Sequence, residues 1–183
     1  SQAGLQHWFT ALADAADQPL IVYDIPYRTG SQLTLDTLLA LAAHPNIRAI
    51  KDCGGDPGKT QALIADGRLQ VLAGEDAQIF TTLALGGVGA IAASAHLCTA
   101  QFVAVLRCLQ AGQLQQARQL GTPWVPLIQA AFAEPNPALI KYALAQQGLL
   151  HDGLRPPMTA ASSGAARHMQ AVLERLSRNR AVD

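Results

Sequence analysis

Four times between residues 19 and 111, a short apolar run ends on a turn signal and a helical pattern follows. The runs span residues 19–26, 47–51, 69–73 and 87–93. The first is followed by a helical stretch carrying Leu35, Leu38, Leu39 and Leu41, and the others by residues 59–65, 76–85 and 99–111. β-rich runs alternating with helices at this spacing predict βαβ units and a parallel sheet. Ahead of them, residues 4–16 place Leu5, Trp8, Phe9 and Leu12 on one helical face. After Gly112 the strand pattern stops. Residues 114–133, 136–147 and 162–178 read as three helices, punctuated by Pro123, Pro126, Pro135, Pro137, Pro156 and Pro157. The expected organisation is therefore an α/β part over residues 1–112 and an all-α part over 113–183. Four βα units cannot close an eight-stranded barrel. The pattern leaves two architectures, a small open sheet or the second half of a barrel.

Composition narrows the function classes. Half of the 183 residues are hydrophobic and 14% are charged, ample for a core. Thirteen basic residues balance thirteen acidic ones. A nucleic-acid binder would carry a basic footprint, so that class is excluded, and nothing points to a membrane surface. Cys53, Cys98 and Cys108 form no CxxC pair and no zinc-spaced cluster, which fits a reducing cytoplasm better than a disulfide scaffold. Residues 1–9 lack a basic start and a long apolar run, and no apolar run reaches the roughly 20 residues of a spanning helix. A soluble cytoplasmic protein is expected.

The candidate chemistry lies where the apolar runs end. Lys51 closes the run Asn46-Ile-Arg-Ala-Ile-Lys51 just before Gly54-Gly55. A buried ammonium is costly, and desolvation favours the neutral amine, a nucleophile able to form a Schiff base with a carbonyl. A lysine at a strand end can equally snorkel into water. In a βα barrel the site forms at the carboxyl ends of the strands, and reading those ends in order gives Tyr23, Arg28 in the loop after it, Lys51, Gly74 and Ile91. Tyrosine relays protons, arginine forks onto a carboxylate and lysine attacks a carbonyl, a set suited to a keto acid. Each residue also has an ordinary reading: Tyr23 as a core aromatic, Arg28 as a solvated turn residue, Gly74 as a turn former. Gly86-Gly87-x-Gly89 resembles a phosphate loop but enters a strand instead of opening a helix. His44 and His151 stand beside helix-ending signals and read as caps or surface groups.

Taken together, these segments resemble a known family. Tyr23-Asp-Ile-Pro-Tyr-Arg-Thr-Gly30 is similar to the tyrosine-to-arginine motif of the dihydrodipicolinate synthase/N-acetylneuraminate lyase family. Ile50-Lys51-Asp52 resembles its Schiff-base strand, and Leu72-Ala-Gly-Glu-Asp-Ala77 and Gly86-Gly-Val-Gly-Ala-Ile91 resemble its seventh and eighth strands. Glu134-Pro-Asn-Pro137 with Lys141, and Leu154-Arg-Pro-Pro-Met-Thr159, are most similar to the synthase branch. The resemblance runs from about Gly4 to about Leu176.

The resemblance implies strands 5–8 of a TIM (β/α)8 barrel, followed by a C-terminal three-helix extension. It implies a lyase that condenses pyruvate with L-aspartate 4-semialdehyde in lysine biosynthesis, without a cofactor, in an assembly of like chains (dimer or tetramer). Lys51 would form the imine and Tyr23 would pass protons. Arg28 would hold the semialdehyde carboxylate, and Gly74 and Ile91 would line the pyruvate pocket with backbone groups. The chain departs from the family in lacking the Gly-Thr-Thr-Gly-Glu-type loop and the tyrosine donated across a dimer interface. It departs also at Asp52-Cys53-Gly54-Gly55, and at Tyr27, where a small residue is common. Two alternatives remain at this stage: a sister aldolase acting on a sugar acid, and an inactive half-barrel serving as an assembly module.

Overall fold

The computed structural model describes residues 1–180, which fall into two compact units dividing between Ile91 and Ala92. The first unit opens on α1 (Gln2–Ala15), capped by the Ser1 side chain, which accepts the Gly4 N–H. Then follow β1 (Leu20–Asp24), the single turn α2 (Pro26–Thr29), α3 (Leu35–Leu41), β2 (Ile47–Asp52), α4 (Pro57–Asp66) and β3 (Gln70–Ala73). A 3-10 turn (Asp76–Gln78), α5 (Ile79–Ala84) and β4 (Gly89–Ala90) complete it. The local chemistry explains the starts. Thr34 caps α3 through the Thr37 N–H, and Asp56 caps α4 through the Lys59 N–H, with Pro57 in the first turn.

The sheet is wholly parallel, in the order β1-β2-β3-β4. A one-residue slip between Leu20/Ile21 and Ile47/Ala49 sets the register, after which Val22 pairs with Ile50 and Tyr23 with Lys51. Alternation then separates two faces. One packs Val22, Ile50 and Val71 against Leu38 and Leu41 of α3, Leu63 of α4 and Ala13 of α1. The other has no helix of this unit over it: Ile21 is 52% exposed and Tyr23 45%. Side chains this apolar suit a sheet covered on both faces. The fourth run is shorter than the sequence predicts. Only Gly89–Ala90 is strand, although the Val88 and Ile91 N–H groups still donate to Val71 and Ala73 of β3.

The second unit is helical: α6 (Ala95–Gln110), α7 (Leu114–Gly121), α8 (Trp124–Ala131), α9 (Ala138–Gln146) and α10 (Ser163–Arg180). α6 packs against α7 and α9, and α10 against α8 and α9. The Phe102 and Trp124 rings stack at 3.9 Å between centroids, over a core that includes Val105, Leu127, Leu139 and Met169. One expectation is corrected here. Residues 114–133 form two helices, not one, so four helices follow Gly112 instead of three. Thr122 and Pro123 both keep helical backbone, but Pro123 supplies no N–H to continue the hydrogen-bond ladder, so α7 ends and α8 starts afresh at Trp124. No described helix is long and apolar enough to cross a membrane.

Candidate active site

The parallel register decides which side chains meet. Tyr23 and Lys51 are Cα partners at the carboxyl ends of β1 and β2, on the face left open. The Lys51 Nζ lies 4.0 Å from the centre of the Tyr23 ring. Leu72 of β3 pairs with Lys51 on the other side. The next residue but one, Gly74, must stay a glycine for steric reasons. A Cβ there would lie 2.4 Å from the Cys53 Sγ and 2.9 Å from the Lys51 Cγ. Any side chain at 74 would therefore have to push into the Cys53 thiol and the lysine stem.

Gly74 and Ile91 both have their backbone N–H groups engaged. The Gly74 N–H donates to the Asp52 carbonyl, and the Ile91 N–H to that of Ala73, each at 2.9 Å. Their amides are spent within the sheet, so only carbonyl oxygens remain to turn toward a ligand. Arg28 stands on α2, with its guanidinium carbon 5.8 Å from the centre of the Tyr27 ring. Sequence reading missed α2, because Pro26-Tyr-Arg-Thr gives only one turn and no periodicity. His44 is a structural cap: Nε2 meets Asp14 Oδ1 at 3.0 Å and Nδ1 accepts the Asn46 N–H.

Beside this pair lies a cleft lined by Pro26, Tyr27, Cys53, Gly54, Glu75 and Gln78. Burial pushes the Cys53 thiol up to about 12, the Glu75 carboxylate adding to the effect while Lys51 and Tyr23 oppose it. Local desolvation, then the facing Glu75 carboxylate, push the Tyr27 phenol up to about 12, although most of the Tyr27 side chain is exposed. The Glu75 carboxylate faces the Tyr27 phenol and the Cys53 thiol, and among the described residues its Oε1 is buried without a hydrogen-bond partner of its own. A roomier cavity of about 520 Å³ lies in the second unit, floored by Leu97, Cys98, Leu127 and Ala143. It holds none of the five residues singled out from sequence, so the strand ends, not this cavity, define the candidate site.

The state of the Cys53 thiol is testable. Its folded value exceeds that of an unfolded chain, so protonation favours the fold below about pH 9, and this contribution is lost as pH rises toward about 12. The thiolate is the reactive form. Iodoacetamide at about pH 8 should leave Cys53 unmodified in folded protein and alkylate it after denaturation, as read by peptide mass. Alkylation of folded protein at the rate of a free thiol would contradict this.

Comparison with known proteins covers most of the chain. A family model described as the dihydrodipicolinate synthetase family matches residues 1–176. The chain is 42% identical over 159 residues to the 4-hydroxy-tetrahydrodipicolinate synthase of Limosilactobacillus fermentum, covering 86% of this chain and 51% of that protein. It is 33% identical over 180 residues to the Listeria monocytogenes (serotype 4a) protein of that name, covering 97% and 61%. Among solved structures, it resembles the chloride-inhibited dihydrodipicolinate synthase from Acinetobacter baumannii complexed with pyruvate, with a TM-score of 0.91 and 34% identity, over 95% of this chain and 60% of that one. The chain thus spans about three-fifths of the length of most of these relatives.

Proposed function

The chain belongs to the dihydrodipicolinate synthetase family, and on that footing we propose that it forms strands 5–8 of a (β/α)8 barrel whose Lys51 condenses pyruvate with L-aspartate 4-semialdehyde to 4-hydroxy-tetrahydrodipicolinate. Residues 1–112 are then the barrel half and 113–183 the helical extension. One observation carries the reading: Tyr23 and Lys51 sit in register at adjacent strand ends, amine against phenol at 4.0 Å from the ring centre. The uncovered sheet face supports the barrel half, since Ile21 and Tyr23 would be covered once four more strands close the ring.

In this reading the Lys51 amine attacks the keto carbon of pyruvate and water leaves, giving an imine. Loss of a methyl proton yields the enamine, whose carbon attacks the aldehyde. The amino group of the adduct then attacks the imine carbon, closing the ring and releasing Lys51. The imine nitrogen is the electron sink, so the chemistry calls for neither metal nor organic cofactor. Tyr23 moves protons, Arg28 takes the semialdehyde carboxylate, and Gly74 and Ile91 bound the pyruvate pocket. Like chains assemble as a dimer or tetramer in the cytoplasm.

Borohydride reduction with pyruvate, in the polypeptide carrying the complete barrel, tests the imine. A mass increase mapped to Lys51 supports it, and none sinks it. Turnover with L-aspartate 4-semialdehyde then separates the synthase from a sugar-acid aldolase. Arg28→Ala should leave the trapped pyruvate adduct intact while raising KM for the semialdehyde about 10- to 100-fold, the worth of a charged hydrogen-bond pair. An unchanged KM would remove Arg28 from the second-substrate site.

A further inference from the structure

Strand alternation turns Tyr23 and Lys51 to the open face, and the residues after them, Asp24 and Asp52, to the covered one. Asp24 and Asp52 are themselves register partners, buried at 2% and 7% exposure. Like charges opposite each other on paired strands repel, and more strongly away from water. The counter-charge comes from α4. Lys59 Nζ donates to Asp24 Oδ2 at 2.7 Å and to the Leu33 carbonyl at 3.1 Å, its side chain 4% exposed.

The rest of the cluster is bonded just as closely. Asp24 Oδ1 accepts the Leu33 N–H at 3.2 Å. Asp52 accepts the Thr60 hydroxyl at 2.5 Å and the Gly54 N–H at 2.9 Å. The Cys53 N–H donates to the Asp24 carbonyl at 2.9 Å, tying the chain after Lys51 to the residue after Tyr23. Gly54 passes between the charges: a Cβ there would lie 2.6 Å from Lys59 Nζ, 3.0 Å from Asp52 Oδ1 and 3.1 Å from Asp24 Oδ2.

We propose that Lys59, paired with Asp24 and seated beside the Asp52–Thr60 bond, is a positioning residue that holds Lys51 and Tyr23 together from the opposite face of the sheet. The inference rests on reading Lys51 as the imine-forming amine. A buried ion pair is poor evidence of a stability role, because apolar replacements of both partners are often no less stable. Its distinctive effect here is geometric. Without the ammonium, two buried carboxylates face each other across β1 and β2, and the strand ends that carry Tyr23 and Lys51 are driven apart. A displacement of about 1 Å in a reacting pair costs roughly 100-fold in rate.

The test measures the initial rate of borohydride-trapped adduct at Lys51 against pyruvate concentration, in the complete-barrel polypeptide. Lys59→Met should lower the maximal rate about 10- to 100-fold and change the half-saturating pyruvate concentration less than about threefold. Asp24→Asn combined with Lys59→Met removes the repulsion and should return the rate to within about fivefold of the parent. If Lys59→Met does not fold, Thr60→Val, which keeps all three charges, should still lower the maximal rate about threefold or more. A folded Lys59→Met with the parent's rate, or a folded double variant as slow as Lys59→Met, overturns the proposal. So does a Thr60→Val rate equal to the parent's when Lys59→Met is unfolded. Reductive methylation of Lys51 by formaldehyde, mapped by peptide mass, separates the two readings. Slower methylation in Lys59→Met with no pyruvate trapped by the parent supports positioning and removes the pyruvate reading. Equal trapping by every folded variant removes positioning alone.

Discussion

Lys51→Ala abolishes the borohydride-trapped pyruvate adduct, and with it all turnover of the complete-barrel polypeptide. The effect is total because no other described lysine takes the same place. Lys59 is committed to Asp24 on the covered face, and Lys141 lies on α9 with its ammonium on the Gly153 carbonyl. Lys51→Arg should fail as completely, since a guanidinium stays protonated and cannot attack a carbonyl. Intact mass after reduction, followed by peptide mapping, reads both outcomes. A pyruvate adduct elsewhere in Lys51→Ala would move the chemistry to that site.

Tyr23→Phe should slow imine formation and turnover about 100- to 1,000-fold, within the range for loss of a positioned acid–base group. The variant keeps the ring against which Lys51 Nζ rests at 4.0 Å, so the lysine stays placed and only the hydroxyl is lost. Half-saturation by pyruvate should hardly move, because the proton transfer belongs to the transition state and not to ground-state binding. Rates within about twofold of the parent would make Tyr23 a packing residue, the ordinary reading of a strand-end aromatic.

The parts of this molecule governed by short-range rules were readable from the sequence. β1 and β2 follow from the β-branched content of Leu20–Asp24 and Ile47–Asp52, and their parallel pairing from the helix between them. That pairing is enough to place Tyr23 beside Lys51. What escaped depends on packing between distant residues. Asp24 and Lys59 stand 35 residues apart, and nothing in either neighbourhood marks them as partners. Glu75 and Cys53 likewise meet only because β2 and β3 end side by side. The break between α7 and α8 was written in Pro123, but the apolar pattern running through it outweighed the proline. Backbone hydrogen bonding was equally hidden: the Gly74 and Ile91 N–H groups are engaged within the sheet, which leaves their carbonyls as the backbone groups free to line a pocket.

The uncovered sheet face has a consequence for reconstitution. β1 and β4 are the two margins of the sheet among the described residues, each with one side facing no strand, and the face between them exposes Ile21 and Tyr23. Such a surface is a template for a complementary fragment. If a polypeptide with the first four strand–helix units of a relative docks there, complementation in trans obeys mass action: activity at equal fragment concentrations rises as the square of concentration when dilute and becomes linear once the fragments are saturated. Lys51 and Tyr23 lie on the docking face, so catalysis itself would report fragment association.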